Sequence, residues 1–224
     1  MEANDLLSRR VNHLIITGGS GGLGQAIVGA FVASDWEVQA PDRDELDISN
    51  FQAIRHYLES RSVDLLICAA GLTRDAPLGR MTESEWDEVF AVNYQAAAIA
   101  AAAVVPRMIQ QGNGHIVFIS SYSALHPPLG QLAYATAKAA LLGLTQSLAR
   151  ENGHHGIRVN AVLPGFLETR MTEFVSEKRK IEILANHTLG RFNTPVEVAK
   201  FIRYLHHDLC HTSGQVFQLD SRIS

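Results

Sequence analysis

A run of glycines that follows a short apolar stretch is the feature that most constrains the fold of this chain. Residues 11–17 are mostly apolar and β-branched, residues 17–24 read TGGSGGLG, and helical periodicity begins at Gln25. Glycines let the backbone turn tightly and approach a diphosphate, which the N–H groups at the start of a helix can hold. The segment therefore predicts a strand, a phosphate-binding turn and a helix, in that order.

The glycine run fits two patterns at once. Gly19, Gly21 and Gly24 match G-x-G-x-x-G, whereas Gly18, Gly22 and Gly24 match T-G-x-x-x-G-x-G. Richness in glycine does not choose between the two patterns. Both lead to the same hypothesis, which is a dinucleotide site at this turn.

Strands and helices alternate along the rest of the chain. Apolar runs predict strands at residues 11–17, 37–40, 63–68, 115–120, 157–162 and 215–219, and helical patterns predict helices at residues 25–33, 51–60, 83–105, 133–151 and 195–206. Parallel strands joined by helices form a sheet that is covered on both faces. We therefore expect one α/β domain over residues 1–224, built on a doubly wound parallel sheet.

The segment 41–50 interrupts this regular alternation. Its ten residues are too few for a full crossover helix between two parallel strands. Either a helix has been lost there, or residues 46–48 form a very short strand that is reached by a loop.

Composition excludes several classes of protein. The chain is 46% hydrophobic and 19% charged, and its net charge of −4 lacks the basic excess that a nucleic-acid partner requires. Cys68 and Cys210 have no C-x-x-C spacing, so we expect no disulfide framework and a reducing, cytoplasmic setting. No apolar run reaches about 18 residues, and residues 1–10 contain no stretch of secretory length, so we expect neither a membrane span nor a signal peptide.

Tyr134 and Lys138 are four residues apart, which places them on one face of a predicted helix. A tyrosine with a pKa near 10 exchanges protons poorly at neutral pH, and a nearby cation favours its phenolate form. The Y-x-x-x-K spacing is weak when taken alone, because most such pairs are a packed tyrosine and a solvated lysine. Its surroundings strengthen it, since Ser121 lies 13 residues before Tyr134 and just past a predicted strand, and Asn93 lies in an earlier helix of small residues.

Together these features resemble the classical short-chain dehydrogenases/reductases over essentially the whole chain. The resemblance rests on ordered matches: the glycine loop, Asn93 within VNY, the spacing of Ser121, Tyr134 and Lys138, NAVLPG at residues 160–165, and SGQV at residues 213–216. It implies a Rossmann-type fold and an enzyme that transfers hydride between NAD(H) or NADP(H) and a carbonyl or alcohol.

The resemblance also implies roles for four residues. Tyr134 would exchange a proton with the substrate oxygen, and Ser121 would hydrogen-bond the reacting carbonyl. Lys138 would hold the nicotinamide ribose and lower the pKa of Tyr134, and Asn93 would support a proton-relay water. Hydride that arrives at a carbonyl carbon builds negative charge on the oxygen, so two hydroxyl donors at that point suit the chemistry.

The resemblance places the dinucleotide along the glycine loop and the turns that follow the next strands. The expected contacts are Gly18, Ser20, Gly22, Leu23, Gly24, Asp42, Arg43, Asp47, Ile48, Ala69, Ala70, Gly71, Tyr134, Lys138, Pro164, Gly165, Leu167 and Thr169. Asp42 would accept hydrogen bonds from the adenosine ribose and repel a 2′-phosphate, whereas Arg43 would pair with that phosphate. We favour NAD(H) and leave NADP(H) open.

Two stretches depart from the pattern of the family. Residues 68–71 read CAAG in place of NNAG, so the hydrogen bonds that brace the sheet must come from elsewhere. Residues 220–222 read DSR where Gly-Gly is common. One further group imitates a metal site, but no carboxylate or second cysteine completes it, and we expect no metal. That group is His206, His207, Cys210 and His211.

Four short segments most resemble the 3-oxoacyl-thioester reductases of the family, at residues 72–75, 79–81, 165–169 and 189–192. This implies a 3-oxoacyl group on acyl carrier protein or coenzyme A as substrate, with acyl carrier protein as a candidate partner. Two alternatives stay open: a dehydrogenase of another small alcohol, sugar or polyol, and a nucleotide-binding regulatory protein with weak turnover. The usual assembly of the family and the small residues at 96–105 and 139–149 lead us to expect a homo-oligomer, either a tetramer or a dimer.

Overall fold

Six parallel strands form one sheet in the order β2-β1-β3-β4-β5-β6. The computed structural model describes residues 11–32 and 36–223, so the expectation about a signal peptide and the predicted helix end at Ala33 lie outside the described residues. The strands are β1 (Asn12–Thr17), β2 (Trp36–Gln39), β3 (Leu65–Cys68), β4 (Gly114–Ile119), β5 (Ile157–Leu163) and β6 (Val216–Gln218). The predicted parallel sheet is confirmed.

Helices cover both faces of the sheet, as a doubly wound fold requires. They are α1 (Gly22–Val32), α2 (Phe51–Glu59), α3 (Glu83–Phe90), α4 (Ala96–Gln111), α5 (Leu132–Asn152), α6 (Glu177–Leu184) and α7 (Pro195–His207). On one face, α1 and α7 bury side chains such as Phe31 and Ile202. On the other face, α2, α4 and α5 bury Leu58, Met108 and Leu141.

The central strands have the composition that this layering demands. Every residue of β3 and β4 is buried, because helices cover them on both sides and neighbouring strands pair with both of their edges. In contrast, β2 lies at the edge of the sheet and only Trp36 in it is buried. The carboxyl ends of β1, β3, β4 and β5 lie on the same side of the sheet, where the turns that carry the candidate site begin. We call this side the carboxyl edge and the opposite side the amino edge.

The segment 41–50 contains neither a helix nor a strand. It forms two turns, and the short strand considered for residues 46–48 is absent from it, so the first alternative is the correct one. Leu46 is buried in the core, which fixes the segment against the sheet without β pairing. Asn50 then caps α2 by accepting a hydrogen bond from the N–H of Ala53 at 3.1 Å.

The predicted helix at residues 83–105 begins as expected but runs further. Thr82 and Glu85 form a reciprocal capping box at the start of α3. A π-helical segment, Ala91–Gln95, joins α3 to α4, and α4 continues through Pro106 to Gln111. Pro106 is exposed, so the backbone hydrogen bond that it cannot make lies on the solvent side, and the helix tolerates it.

The stretch Glu83–Gln111 is the one helical stretch, within the described ranges, that is long and apolar enough to cross a membrane. Of its most apolar window, 44% is buried inside the protein. It also contains the buried polar side chain of Asn93. We therefore interpret it as a core helix, because core helices pass the same test of length and composition.

The sequence reading missed one helix, α6. Ser176 caps it by accepting a hydrogen bond from the N–H of Arg179 at 3.3 Å, and Glu177 lies in its first turn. The apolar residues of α6 are confined to its carboxyl half, at Ile181, Ile183 and Leu184, and none of them is buried, so the helix has only a short apolar pattern.

Candidate active site

The glycine loop lies between the carboxyl end of β1 and the start of α1. Gly18 has φ +74°, and a Cβ on it would lie 2.6 Å from the backbone nitrogen of Ala70. A Cβ on Gly24 would lie 2.2 Å from the carbonyl oxygen of Gly18. Backbone segments from three parts of the fold meet here, and only glycine permits that approach.

These contacts distinguish the two glycine patterns. A Cβ on Gly22 would lie 2.9 Å from the side chain of Thr169, and Gly19 is crowded as well. A Cβ on Gly21 would meet only the carbonyl oxygen of Gly18, at an ordinary 3.4 Å. Because G-x-G-x-x-G requires Gly21 and T-G-x-x-x-G-x-G does not, the structure favours the second pattern.

The start of α1 can hold an anion. The first turn contains Gly22, Leu23 and Gly24 and no acidic side chain, and the N–H groups of a first helical turn have no partner within the helix. Ser20 and Gly21 are exposed in front of it, and the Ser20 carbonyl accepts a hydrogen bond from Gln25 Nε2 at 3.2 Å. The N–H groups and the positive end of the helix dipole attract phosphate. The residues present therefore fit the diphosphate of a dinucleotide.

The turn after β5 closes over this loop. Gly165 adopts φ +82°, and Leu167 is buried in the same core cluster as Leu23. The N–H of Thr169 donates to the Thr172 hydroxyl at 3.0 Å, which places the side chain of Thr169 against the glycine loop. The structure thus brings the expected cofactor contacts of the post-β5 turn, at residues 164–169, beside those of the glycine loop.

Ser121, Tyr134 and Lys138 lie together where β4 ends and α5 begins. Ser121 caps the 3₁₀ turn Tyr122–Ala124, and its hydroxyl accepts a hydrogen bond from the N–H of Ser123 at 3.1 Å. Tyr134 is hydrogen-bonded to Ser121. Lys138 lies one helical turn further, with Nζ 5.7 Å from the centre of the Tyr134 ring. The spacing read from the sequence corresponds to one contiguous group in space.

Burial controls the protonation of this group. Burial raises the pKa of Tyr134, while its hydrogen bond to Ser121 lowers it and the carboxylate of Asp75 raises it further. Burial also lowers the pKa of Lys138 to about 8. The side chains that shift the pKa of Tyr134 here are Ser121 and Asp75, and the expectation that Lys138 makes the phenol more acidic stays a prediction. Lys138 instead directs Nζ at the carbonyl oxygen of Ile119, 2.9 Å away.

Asn93 is buried in the π-helical segment and braces the turn after β3. Its amide nitrogen donates to the carbonyl oxygens of Leu72 at 2.8 Å and Val89 at 2.9 Å, and its Oδ1 accepts from the N–H of Leu72 at 3.3 Å. Gly71 is required beside it, since a Cβ there would lie 2.8 Å from Asn93 Oδ1. Both donors of the amide are used within the protein, and the support of a relay water stays a prediction.

The CAAG stretch keeps its place against the cofactor loop despite its changed side chains. The N–H of Ala69 donates to the carbonyl of Thr17 at 3.1 Å, and the backbone of Ala70 touches Gly18. Burial raises the pKa of the Cys68 thiol to about 12, so this cysteine is an inert packing residue. Asn93 holds Leu72, the residue that directly follows the stretch.

The serines on either side of Ser121 have other partners. Ser120 is buried, and its hydroxyl donates to the carbonyl oxygen of Lys138 at 2.8 Å, which anchors α5 to β4. The hydroxyl of Ser123 donates to Gln131 Oε1 at 3.1 Å. Ser121 is therefore the serine whose hydroxyl meets Tyr134.

Asp42 follows the carboxyl end of β2, as expected, but one of its carboxylate oxygens already accepts hydrogen bonds within the protein. Its Oδ1 accepts hydrogen bonds from the N–H groups of Asp44 at 2.9 Å and Glu45 at 3.0 Å. Its own N–H donates to a Glu45 carboxylate oxygen at 3.2 Å. Asp42 and Arg43 are both exposed. One oxygen of the Asp42 carboxylate therefore holds its own turn.

Asp47 forms a second turn of the same kind. Its Oδ1 accepts from the N–H of Ser49 at 2.9 Å and from the Ser49 hydroxyl at 2.7 Å. These bonds, the backbone one first, lower the pKa of Asp47. Ile48 packs against the core, and the dinucleotide contacts that the resemblance implies for Asp47 and Ile48 stay predictions.

One hydrogen-bonded chain at the mouth of the site was missed from the sequence. Gln131 Nε2 donates to Asp75 Oδ2 at 2.8 Å, while Gln131 Oε1 accepts from the Ser123 hydroxyl. Gln131 lies three residues before Tyr134, about one helical turn away, so its place near the site could have been predicted from the sequence. Asp75 lies 56 residues away from Gln131, and no local pattern joins them.

The histidines near the end of α7 do not gather around a common point. His206 lies against the buried ring of His115, with Nδ1 atoms 3.1 Å apart, and Cys210 donates its thiol to the carbonyl of His207. Within residues 11–32 and 36–223, no group of three or more histidines, cysteines and carboxylates is placed to hold a metal ion. His206 therefore packs against the interior of the protein through His115.

Comparison with known proteins extends this geometry. A family model described as short chain dehydrogenase matches residues 46–180. The chain is 42% identical over 180 residues to the 3-oxoacyl-(acyl-carrier-protein) reductase FabG of Thermotoga maritima, covering 80% of this chain and 72% of that relative. It is 39% identical over 168 residues to the (3R)-3-hydroxyacyl-CoA dehydrogenase of Mus musculus, covering 72% of this chain and 65% of the relative.

A solved structure shows the same fold. It is the crystal structure, with bound NADP at low occupancy, of a Beutenbergia cavernae protein named as an NAD(P)-dependent gluconate 5-dehydrogenase. The two chains superpose with a TM-score of 0.90 at 28% identity, covering 94% of this chain and 95% of that one.

Proposed function

Because this chain belongs to the short-chain dehydrogenase family, we propose that it interconverts the 3-oxo and 3-hydroxy groups of an acyl thioester with NAD(P)(H). The observation that carries the proposal is the contiguous group of Ser121, Tyr134 and Lys138 beside a glycine loop that fits a dinucleotide. Relatives named for 3-oxoacyl and 3-hydroxyacyl chemistry support the choice of substrate class.

The side chains of the site suit reduction in particular. A bound nicotinamide cofactor supplies the hydride. Ser121 and Tyr134 offer hydroxyl groups to the substrate oxygen as negative charge develops on it. Burial favours the neutral phenol of Tyr134, so this residue holds the proton that the oxygen needs. Lys138 donates to one carbonyl within the protein and keeps further N–H donors for ribose hydroxyls.

Exposed apolar side chains flank the site, which supports an acyl substrate. Large apolar side chains are exposed on the segments that flank the catalytic group, namely Leu125, Leu129, Leu132, Met171 and Phe174. Met171 lies close to the catalytic group, since a Cβ on Gly71 would be 3.8 Å from Met171 Cε and 3.5 Å from Lys138 Nζ. An alkyl chain that covers these exposed apolar groups removes apolar surface from water, which favours binding.

For the cofactor, we propose a preference for NAD(H). The carboxylate of Asp42 lies beyond β2, where it would accept hydrogen bonds from the hydroxyl groups of a bound ribose and repel a 2′-phosphate. The neighbouring guanidinium of Arg43 opposes this preference.

For the assembly, we propose a homo-oligomer, a tetramer or dimer, formed through the small-residue faces of α4 and α5. Light scattering tests it, and a stable particle of 24.5 kDa at micromolar concentration contradicts it. We also propose a cytoplasmic setting, because the two cysteines are free. Acyl carrier protein remains a proposed partner, although several basic side chains near the site are paired with carboxylates, including Lys180 with Glu177 and Arg179 with Glu182.

The function is tested by measuring the oxidation of NADH and NADPH in parallel against a matched panel of substrates. The panel contains one 3-oxoacyl chain on acyl carrier protein and on coenzyme A, a simple ketone, and a keto sugar acid. We expect the highest kcat/KM with a thioester. A keto sugar acid that exceeds every thioester by tenfold or more, about 1.4 kcal/mol, contradicts the proposal and favours the sugar or polyol alternative suggested by the name of the Beutenbergia cavernae protein.

A further inference from the structure

Residues 220–222, which depart from the family pattern, form an internal ion pair. The Asp220 side chain is fully buried, and the Arg222 side chain is 10% exposed. Arg222 Nε donates to Asp220 Oδ2 at 2.7 Å, and Gln218 Nε2 donates to Asp220 Oδ1 at 2.9 Å. Both groups of the pair are thus held in fixed geometry. We call residues 220–222 the clamp.

The guanidinium of Arg222 covers the ring of Tyr122. Its central carbon lies 3.4 Å from the ring centre, which is the distance of a flat stack. The ring of His126 also stacks on Tyr122, with 4.4 Å between ring centres. Tyr122 is the first residue of the 3₁₀ turn that Ser121 caps, so the stack holds the turn on which Ser121 depends.

The clamp also contacts the turn on the cofactor side. A Cβ on Gly165 would lie 2.6 Å from Asp220 Cβ, so the turn after β5 lies directly on the clamp. The carbonyl oxygen of Ser221 accepts hydrogen bonds from the N–H and the hydroxyl of Thr188, at 3.1 Å and 2.9 Å. The clamp therefore joins the serine turn, the post-β5 turn and the segment after α6.

We propose that Arg222 is a positioning residue, which sets the place of the Ser121 hydroxyl by holding Tyr122. The inference deepens the proposed function, since it assumes that Ser121 binds the substrate oxygen. The Ser121 hydroxyl is fixed by its bonds to Ser123 and Tyr134, and both depend on where the 3₁₀ turn lies. A displacement of about 1 Å at such a group can cost about 100-fold in rate.

Two variants attack the stack from opposite sides. Arg222→Ala removes the guanidinium but leaves Asp220 buried without its cation, which can unfold the protein. Tyr122→Ala removes the ring and leaves the ion pair intact, so it tests the same contact without that risk. Arg55→Ala, at an exposed arginine of α2, is the matched control. Arg222→Lys keeps the charge but not the flat stack, and it should restore only part of the loss.

The first experiment measures kcat and the dinucleotide Kd of these variants, both in the wild-type protein and in a protein that also carries Ser121→Ala. In the wild-type background, Arg222→Ala and Tyr122→Ala should each lower kcat about tenfold and change the dinucleotide Kd less than about twofold, because the hydroxyl and not the cofactor site is displaced. In a Ser121→Ala background, the same changes should alter the residual kcat less than about twofold. An equal loss of kcat in both backgrounds overturns the proposal, because the clamp then acts other than through Ser121.

The second measurement does not depend on the substrate. Amide hydrogen exchange of the peptide that covers residues 121–126 should be faster in Arg222→Ala and Tyr122→Ala than in wild type and in Arg55→Ala. Unchanged exchange overturns the proposal even if kcat falls. If exchange rises while no thioester is reduced by the wild type, the proposed function has failed and the clamp has not.

Discussion

Lys138 at the carboxyl edge of the sheet and His115 at the amino edge are both buried basic side chains, yet their surroundings differ. Within the part of the chain that the structure describes, Lys138 Nζ donates one hydrogen bond, to Ile119. His115 uses both ring nitrogens: Asn160 Nδ2 lies 3.1 Å from its Nε2, and His206 Nδ1 lies 3.1 Å from its Nδ1. The first group has donors to spare, whereas the second has none.

The amino edge is a closed network. The Asn160 amide also donates to the Thr212 carbonyl at 3.0 Å, so its nitrogen is the donor and His115 Nε2 the acceptor. His115 then donates from Nδ1 to His206. Arg158 binds the end of α7 through the carbonyls of three residues, which are Leu205, His206 and Leu209. Each of these buried polar groups is matched inside the protein, which suits a structural role.

This difference shows which end of the sheet has polar groups that can still bind a ligand. At the carboxyl edge, the N–H groups of the first turn of α1 have no partner within the helix, and Lys138 has N–H donors beyond the one that binds Ile119. Such groups lower the stability of the free protein and raise its affinity for a ligand. The two edges should therefore respond differently to substitution: changes at the carboxyl edge should alter turnover and binding, and changes at the amino edge should alter the free energy of unfolding.

The largest effect is expected for Tyr134→Phe. The ring stays packed and only the transferable proton is lost, so kcat should fall about 1000-fold while the unfolding free energy and the dinucleotide Kd stay nearly unchanged. Steady-state kinetics and chemical denaturation measure the two effects. Tyr204→Phe, at an exposed tyrosine of α7, is the control. Retention of more than about a tenth of the wild-type kcat would contradict the assignment of Tyr134.

Lys138→Met comes next. The methionine keeps much of the buried stem but removes the ammonium, so we expect about a 100-fold loss of kcat/KM together with weaker dinucleotide binding. The unfolding free energy should stay equal or rise, because a desolvated cation is removed. Lys200→Met, on the exposed surface of α7, serves as control. If neither kcat/KM nor binding changed, the four-residue spacing of Tyr134 and Lys138 would be accidental.

The amino edge should lose stability in acid. Burial first, then the Arg158 guanidinium, lowers the pKa of His206 to about 3, and the pKa of His115 also lies well below its usual value. Protonation thus favours the unfolded chain, where the pKa is near 6.5. The stability is full above pH 6.5 and is lost as the pH falls below it, by about 2 kcal/mol for His206 at pH 5.

Denaturant unfolding at pH 7 and pH 5 measures this loss. His206→Gln should remove part of the difference between the two pH values, whereas His56→Gln, at an exposed histidine of α2, should leave it in place. An acid loss of the same size in all three proteins would mean that the amino-edge network does not sense pH.

Asp42→Ser should give the smallest effect, because Asp42 has features of both kinds of polar group: those that bind within the protein and those that can bind a ligand. One of its oxygens is already used by its own turn. The substitution removes the repulsion of a 2′-phosphate and frees Arg43 to pair with it, so the ratio of kcat/KM values should shift toward NADPH by about tenfold. A wild type that strongly prefers NADPH, and a variant that matches it, would show that Asp42 serves its turn alone.

Local patterns in the sequence determined much of the fold and the site. Hydrophobic periodicity located every strand of the sheet and all helices but α6, because those elements bury one face or both. The spacing of Tyr134 and Lys138 is one helical turn, which places them on one face of a helix, and the family resemblance added Ser121 to this pair. The glycine loop was also visible, since its steric demands act over a few residues.

Only the tertiary structure decided how these groups are charged and held. The raised pKa of Tyr134 and the lowered pKa of Lys138 follow from desolvation, which depends on how the whole fold packs around them. His115 and His206 are 91 residues apart, and Arg222 reaches Tyr122 from the far end of the chain. Such contacts are set by which strands and turns the sheet brings side by side, and no short-range pattern records that.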